Sequence, residues 1–261
     1  MSAAPSALMA RRDLLYMITW REIRIKYKQS VMGMLWAILM PVVIVAAGLV
    51  VRYGFAMVSH TPLALSDVAA VSVRSVPWAF FVSSIRFATN SLVSNANLVT
   101  KIYLPREIFP VAAMLSQFVD FAVASLVLVV FLTIAGVGVS AQLLWVPVLV
   151  AILVVLTTGL GILFSAASLF LRDVKYLVDV MLTFAIFFTP VFYDARMLGP
   201  WAPVLMLNPV APVLEGLANV IVGHVPPPGA WVGYSAIVAL LTLAFALFGF
   251  FKLEPYFAES V

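Results

Sequence analysis

The sequence predicts an all-α integral membrane protein: six transmembrane helices, an N-terminal interfacial amphipathic helix, and short re-entrant helices between helices 5 and 6. Three observations lead there. Hydrophobic residues make up 64% of the chain and charged ones 10%. An ordinary soluble domain carries roughly 25% charge, so this chain has too little polar surface to wrap a core in water. The apolar residues also come in uncharged runs of about the 20 residues that a helix needs to cross a bilayer. Finally, Lys and Arg gather between alternate runs, as the positive-inside rule describes.

Residues 1–30 form an N-terminal tail and interfacial helix, 31–252 the transmembrane domain, and 253–261 a short tail. The stretch RRDLLYMITWREIRIKYKQS holds six of the fifteen Lys and Arg. It is no secretory signal, because the apolar run that follows starts late, is too long and ends without a small-residue cleavage site. Tyr16, Trp20, Ile23 and Tyr27 share one helical stripe, and Leu14, Ile18 and Ile25 another. The aromatics suit headgroup depth, with Arg21, Arg24, Lys26 and Lys28 facing phosphates. The same charges also fit a purely topogenic role beside the first span.

Val31 to Val51 is the first span, with Pro41 in its middle as a kink. Arg52 to Pro77 is mixed in character and is placed mostly outside. The second span runs from about Val76 to Val93 and is too polar to face lipid, with Ser83, Ser84, Arg86, Thr89, Asn90 and Ser91 along it. An ionisable residue within a span points into the bundle or toward water, so Arg86 either lines a pathway or pairs with a carboxylate such as Asp120.

The segment Asn95 to Pro110, NANLVTKIYLPREIFP, is a polar island bracketed by prolines. Asn95 and Asn97 can cap a short helix, Leu98 and Ile102 form an apolar ridge, and Lys101, Tyr103, Arg106 and Glu107 offer polar contacts. Pro105 and Pro110 restrict the backbone that leads into the third span. Val111 to Leu171 contains one charge, Asp120, and is broken into a third and a fourth helix around Gly136 to Gln142. Charge returns in LRDVKYLVDV, and Val180 to Phe192 is the heart of the fifth span. The outer segment 194–229 carries too many prolines for two full spans. Partly inserted short helices fit it, among them Ala211 to Val222 with Glu215. Ala230 to Phe251 is the sixth span.

With the N-terminus inside, the inner segments hold Arg11, Arg12, Arg21, Arg24, Lys26, Lys28, Lys101, Arg106, Arg172, Lys175 and Lys252. Arg52, Arg196 and Arg74 remain outside. Both termini are therefore expected in the cytoplasm, together with the Asn95 to Pro110 island.

The chemistry that is missing narrows the function. No cysteine is present, and His60 and His224 lie in separate loops without an HExxH pattern, so no metal site is expected. There is no GxxxxGK[ST] phosphate loop and no GxSxG elbow. Asp120 and Asp179 lack the flanking motif of an intramembrane acid pair, and no catalytic or cofactor-binding residue is assigned. Such a chain most simply moves something. Trp36, Phe184, Phe187, Phe188, Phe192 and Tyr193, with Trp78, Phe80, Phe81 and Phe87, offer aromatic faces on which sugar rings could stack, or which simply pack and face lipid.

Five motifs in order carry a resemblance: REIRIKYKQSVMGMLWAILMP, NSLVSNANLVTKIYLPREIFP, LRDVKYLVDVMLTFAIFFTPVFY, LNPVAPVLEGLANVIVG and FKLEPYFAE. Together they resemble the ABC-2 type permeases that export O-antigen, capsule and teichoic acid. The resemblance implies a half-transporter of the bacterial inner membrane, forming a homodimer and bound to a separate cassette ATPase that holds ATP and Mg. It implies that Asn95, Asn97, Lys101, Tyr103, Pro105, Arg106 and Glu107 belong to a coupling segment, 95–107, docked on that ATPase. Trp36, Arg86, Phe184, Phe187, Phe188 and Phe192 become candidates for the substrate pathway. Arg21, Arg24, Lys26 and Lys28 become candidates for the pyrophosphate of an undecaprenyl-linked glycan, beside ordinary anionic lipid. No nucleic acid partner is expected. An ABC-2 exporter of a drug or lipid would share these motifs. An ion-coupled carrier or a membrane-embedded enzyme would need paired ionisable residues such as Arg86 and Asp120, or Asp120 and Asp179.

Overall fold

A computed structural model of the chain describes residues 5–28, 33, 35–59, 64–101 and 105–257. Every regular element among them is helical. Five helices are long and apolar enough to cross a bilayer: α2 (Leu35–Ser59), α3 (Leu65–Ser94), α5 (Ile108–Ile134), α6 (Val146–Phe170) and α10 (Gly229–Leu253). Around them are α1 (Pro5–Lys28), α4 (Ala96–Lys101), α7 (Val174–Ala185), α8 (Ala202–Met206) and α9 (Ala211–Ile221).

α3 is the central post. It packs on α5 and α6 along its length and on α2 and α9 near its start. Its 30 residues give about 45 Å of helix, enough for the hydrocarbon and both headgroup layers. The sequence predicts that this span begins near Val76 and that Arg52 to Pro77 lies mostly outside. Instead Arg52 ends up inside α2, and α3 is already helical at Leu65. The charges that suggested a loop are neutralised within the fold. Asp67 accepts from Arg52 at 2.5 Å and from the backbone N–H of Ala64 at 3.1 Å, tying the start of α3 to α2. Arg74 is paired deep inside the bundle, as described below. His60 lies outside the described residues, as does Val31; the first span is helical from Leu35 and runs on through Pro41.

The break at Gly136 to Gln142 falls where the turn residues place it. α5 ends at Ile134, Gly136 takes a φ of +72° that an L side chain resists, and a 3-10 turn at Ala141–Trp145 feeds α6. α6 then lies against α3 and α10 at very close range. A Cβ on Gly159 would stand 2.8 Å from the backbone nitrogen of Leu243, and one on Gly161 2.9 Å from the Cβ of Ala88. Ser168 donates to the carbonyl of Thr89 at 2.6 Å, and the hydroxyls of Ser91 and Ser165 meet at 3.1 Å. Small residues and short hydroxyl bridges are how helices pack where water supplies no driving force.

The expected fifth span starts earlier and stops sooner than its predicted heart, Val180 to Phe192. α7 has 12 residues, starts in the charged stretch at Val174 and ends in a 3-10 turn at Ile186–Phe188. The chain then reverses through Thr189 to Asp194. A 3-10 helix at Ala195–Trp201 leads to α8, then α9, in the proline-rich segment. Asn208 holds this segment down by donating to Thr189 Oγ1 at 2.9 Å, and Tyr234 on α10 donates to the carbonyl of Leu207 at 2.9 Å. α9 itself is buried over most of its length.

Candidate functional site

The end of the bundle that carries α4 is where the chain's charge collects. Leu98 and the side of α1 bearing Leu14, Leu15 and Ile18 cover a small core of Leu92, Ile108, Phe109, Leu169, Phe250 and Phe257. Tyr16 and Trp20 are left exposed on the other side of α1, and so are Arg24 and Lys28. The stripes read from the sequence thus separate into a packed one and an outward one, although Ile25 falls outward and Tyr27 inward.

Two polar grips hold the segment between α3 and α5. Arg21 on α1 donates to Asn95 Oδ1, while Asn95 Nδ2 donates to the carbonyl of Ser91 at 2.8 Å. The side chain of Asn95 therefore ties α1 to the last turn of α3, and its oxygen is spoken for by Arg21. At the far side, Arg106 donates to the carbonyl of Glu254 and lies over the ring of Phe257, 5.8 Å from its centroid. The C-terminal 3-10 turn, Glu254–Tyr256, is thereby fastened to the segment. Asn97 is exposed, and Pro105 and Glu107 are half-buried. α4 ends at Lys101, and Tyr103 and Ile102 lie outside the described residues.

Deeper in, α1 ends against a cleft of about 350 Å³ lined by Lys26, Trp36, Ser83, Arg86, Gln117 and Asp120 among others. Lys26 Nζ donates to Asp120 Oδ2 and, at 3.0 Å, to Gln117 Oε1, and stands 5.2 Å from the centroid of Phe87. The hydroxyl of Tyr27 donates to the other oxygen of Asp120. Burial, and then the adjacent Asp120 carboxylate, push the Tyr27 hydroxyl well above the ordinary phenol range. Arg86 is not the partner of Asp120. Its Nε donates to Asp179 on α7 at 2.7 Å, and both side chains are nearly half exposed. Asp120 and Asp179 are each held by a different cation, with no hydrogen bond between them among the described residues, which is not the arrangement of a shared-proton acid pair.

The aromatic set divides sharply. Phe184, Phe187 and Phe188 are exposed along α7 and its 3-10 extension, and Trp36 and Phe87 are exposed at the cleft. Phe192 is buried in the core, its ring so close to α2 that a Cβ on Gly48 would stand 2.5 Å from it. Trp78, Phe80 and Phe81 are likewise buried. These four pack mainly against other side chains of the chain, although Trp78 and Phe80 also line the cleft.

The family model described as ABC-2 type transporter matches residues 13–222. The chain belongs to this family. It is 28% identical over 207 residues, 77% of both chains, to the O-antigen export system permease protein RfbA of Klebsiella pneumoniae. It is 26% identical over 254 residues, 96% of both chains, to the protein of the same name from Myxococcus xanthus. This ABC-2 transporter chain is therefore a multi-pass membrane protein of a transport family, and its polar clusters belong to that setting.

One cluster of this ABC-2 chain was missed by the sequence reading. Arg74, 4% exposed, donates to Glu215 Oε2 at 3.0 Å and to the carbonyl of Tyr193 at 3.3 Å, and pairs with Asp194 at 3.1 Å. Glu215 Oε1 accepts from the backbone N–H of Ala195 at 2.7 Å. Burial works to raise the Asp194 carboxyl, but the Arg74 guanidinium, a hydrogen bond to Glu215 and the nearby Arg196 together hold the group below the usual carboxylate range. The triad pins the reversal after α7 to α3 and α9. The signal that could have found it was Glu215, a lone carboxylate in an otherwise apolar short helix, which needs a buried cation.

Proposed function

We propose that this chain is the membrane-spanning permease subunit of an ATP-binding cassette exporter that moves a lipid-linked polysaccharide of O-antigen type across the bacterial inner membrane. The observation that carries the reading is the likeness to two O-antigen export permeases over most of both chains. In this reading the chain works as a homodimer, and a separate cassette ATPase binds ATP and Mg and drives it; the sequence itself has no phosphate loop. α7 with Ile186–Phe188 serves as a sixth, short crossing, since its 12 helical residues and three-residue 3-10 extension rise about 24 Å. The segment from Asp194 to Gly229 dips back into the outer leaflet, and both termini lie in the cytoplasm.

The α4 segment receives the push of the ATPase. Asn97, Pro105 and Glu107 contact the partner, and Lys101 and Tyr103 belong to the same coupling segment, while Asn95 and Arg106 act from behind, through Arg21 and the C-terminal turn. Arg86 lies on the pathway side with Trp36, Phe184, Phe187 and Phe188, because a half-exposed ion pair within the span avoids lipid at the least cost by facing water. Arg24 and Lys28 remain free for the pyrophosphate of an undecaprenyl carrier. Arg21 and Lys26 are already committed to protein partners, which leaves them supporting roles.

The test is deletion and reconstitution. Deleting the gene should abolish surface polysaccharide, and the purified chain should bring down a cassette ATPase whose ATP hydrolysis drives glycan export in proteoliposomes. Intact surface polysaccharide with loss of drug or lipid efflux would move the substrate to that class. Transport by the chain alone on an ion gradient would defeat the reading.

A further inference from the structure

Among the described residues, α1 meets the rest of the chain at two separate polar sites, and one unbroken helix joins them. Arg21 grips Asn95, the residue that opens the α4 segment. Five residues later, about 7.5 Å along the helix axis, Lys26 and Tyr27 grip both oxygens of Asp120. Asp120 lies twelve residues beyond Ile108 in α5, about 18 Å of helix away from the α4 end.

Neither contact is the loose kind that a surface-lying helix makes. Asn95 is locked in orientation by its second bond to Ser91. Asp120 takes one donor on each oxygen, and Gln117, 2% exposed and one turn earlier, takes another hydrogen of Lys26. About one turn before the first contact, Ile18 is buried against the core beneath the α4 segment. A single helix keyed at two levels cannot shift at one without loading the other.

We propose that α1 is a second transmission element, a rigid link that carries displacement of the α4 segment to Asp120 in the middle of α5, with Arg21, Lys26 and Tyr27 as positioning residues. Asp120 lines the same cleft as Arg86 and Trp36, so movement delivered there reshapes a cavity that α4 does not touch. The inference rests on the proposed function for the origin of the push, but the mechanical link itself can be tested without any partner.

The chain has no cysteine, so spin labels can be placed at will. In lipid nanodiscs, a pair at the exposed positions Tyr16→Cys and Asn97→Cys reports the α4 end, and a pair at Ile25→Cys and Leu126→Cys reports the Asp120 end. Cutting one grip should change the distances at the other. Asp120→Asn should shift or broaden the Tyr16–Asn97 distribution, and Asn95→Leu the Ile25–Leu126 distribution, while Arg21→Lys, which keeps a cationic donor, leaves both as in the parent. Changes confined to the mutated end would overturn the link.

In cells, Asn95→Leu and Asp120→Asn should each lower export about tenfold, and the double variant should also lose about tenfold. Distant, independent sites would instead multiply to about a hundredfold, which would also overturn the link. The swap Lys26→Asp with Asp120→Lys should recover export lost by either change alone. Absence of glycan export by the parent complex would defeat the proposed function, and the label distances would still decide whether α1 is a link.

Discussion

Two ion-paired clusters sit toward opposite ends of α3, and they differ in every physical respect. Arg74 and Glu215 are 4% and 5% exposed, and the carboxylate is satisfied on both oxygens by Arg74 and the N–H of Ala195. Arg86 and Asp179 are 44% and 45% exposed and share one hydrogen bond of 2.7 Å. A buried pair cannot exchange partners without stranding a charge at low dielectric, so it behaves as a fixed joint. A half-exposed pair can open to water at little cost. The difference separates a part of the molecule that holds its shape, the reversal after α7 with α9, from a part that can move, the contact between α3 and α7.

The largest expected effect comes from breaking the fixed joint on one side only. Arg74→Met leaves Glu215 buried without its cation and should destabilise the protein by about 3–5 kcal/mol, seen as a collapse of folded yield and melting temperature in detergent. Arg74→Met combined with Glu215→Met removes the two buried charges, leaves the 38% exposed Asp194 to water, and should recover most of that loss. A single variant that melts like the parent would mean that the joint is not buried in the working protein.

How far the sequence foretold this contrast depends on the distance over which each feature is decided. The break between α5 and α6 was legible because Gly136 and its neighbours decide it locally. The short helix bearing Glu215 was legible because prolines forbid a longer one. Arg74 was misread as a loop charge, since a composition window sees a cation but not a carboxylate 141 residues away. Arg21 and Asn95 both stand out in the sequence, but nothing near either announces that they bond each other across 74 residues. Arg106 met the same fate, because nothing near it in sequence announces the carbonyl of Glu254. The shortness of α7 was hidden by Val191 and Phe192, which continue the apolar run past the point where the backbone turns.

The α4 end is not uniformly soft, and its C-terminal turn marks the boundary. Phe257 is fully buried against Phe250 and Phe170, so Phe257→Ala should cost about 3 kcal/mol through the cavity it leaves. Arg106→Ala removes only a charge-assisted hydrogen bond and a ring contact, and should cost about 1.5 kcal/mol. Limited proteolysis after Lys252 checks both, with faster release of the tail in the first than in the second. Equal effects would mean that Arg106, rather than the phenylalanine, anchors the turn.

The smallest expected effect tests what surrounds the mobile pair. Asp179→Asn leaves Arg86 without a counter-charge but with the size and polarity of its neighbour preserved. If the pair faces water, the loss should be about 0–1 kcal/mol, and thermal melting should barely change. If hydrocarbon surrounded it, the stranded guanidinium would cost about 2.5–3.5 kcal/mol, approaching the loss expected for Arg74→Met. The melting temperature of this one conservative variant therefore decides whether the contrast between the two clusters is one of solvent or only of position. A small shift would put water beside Arg86, within a helix that the bilayer otherwise encloses.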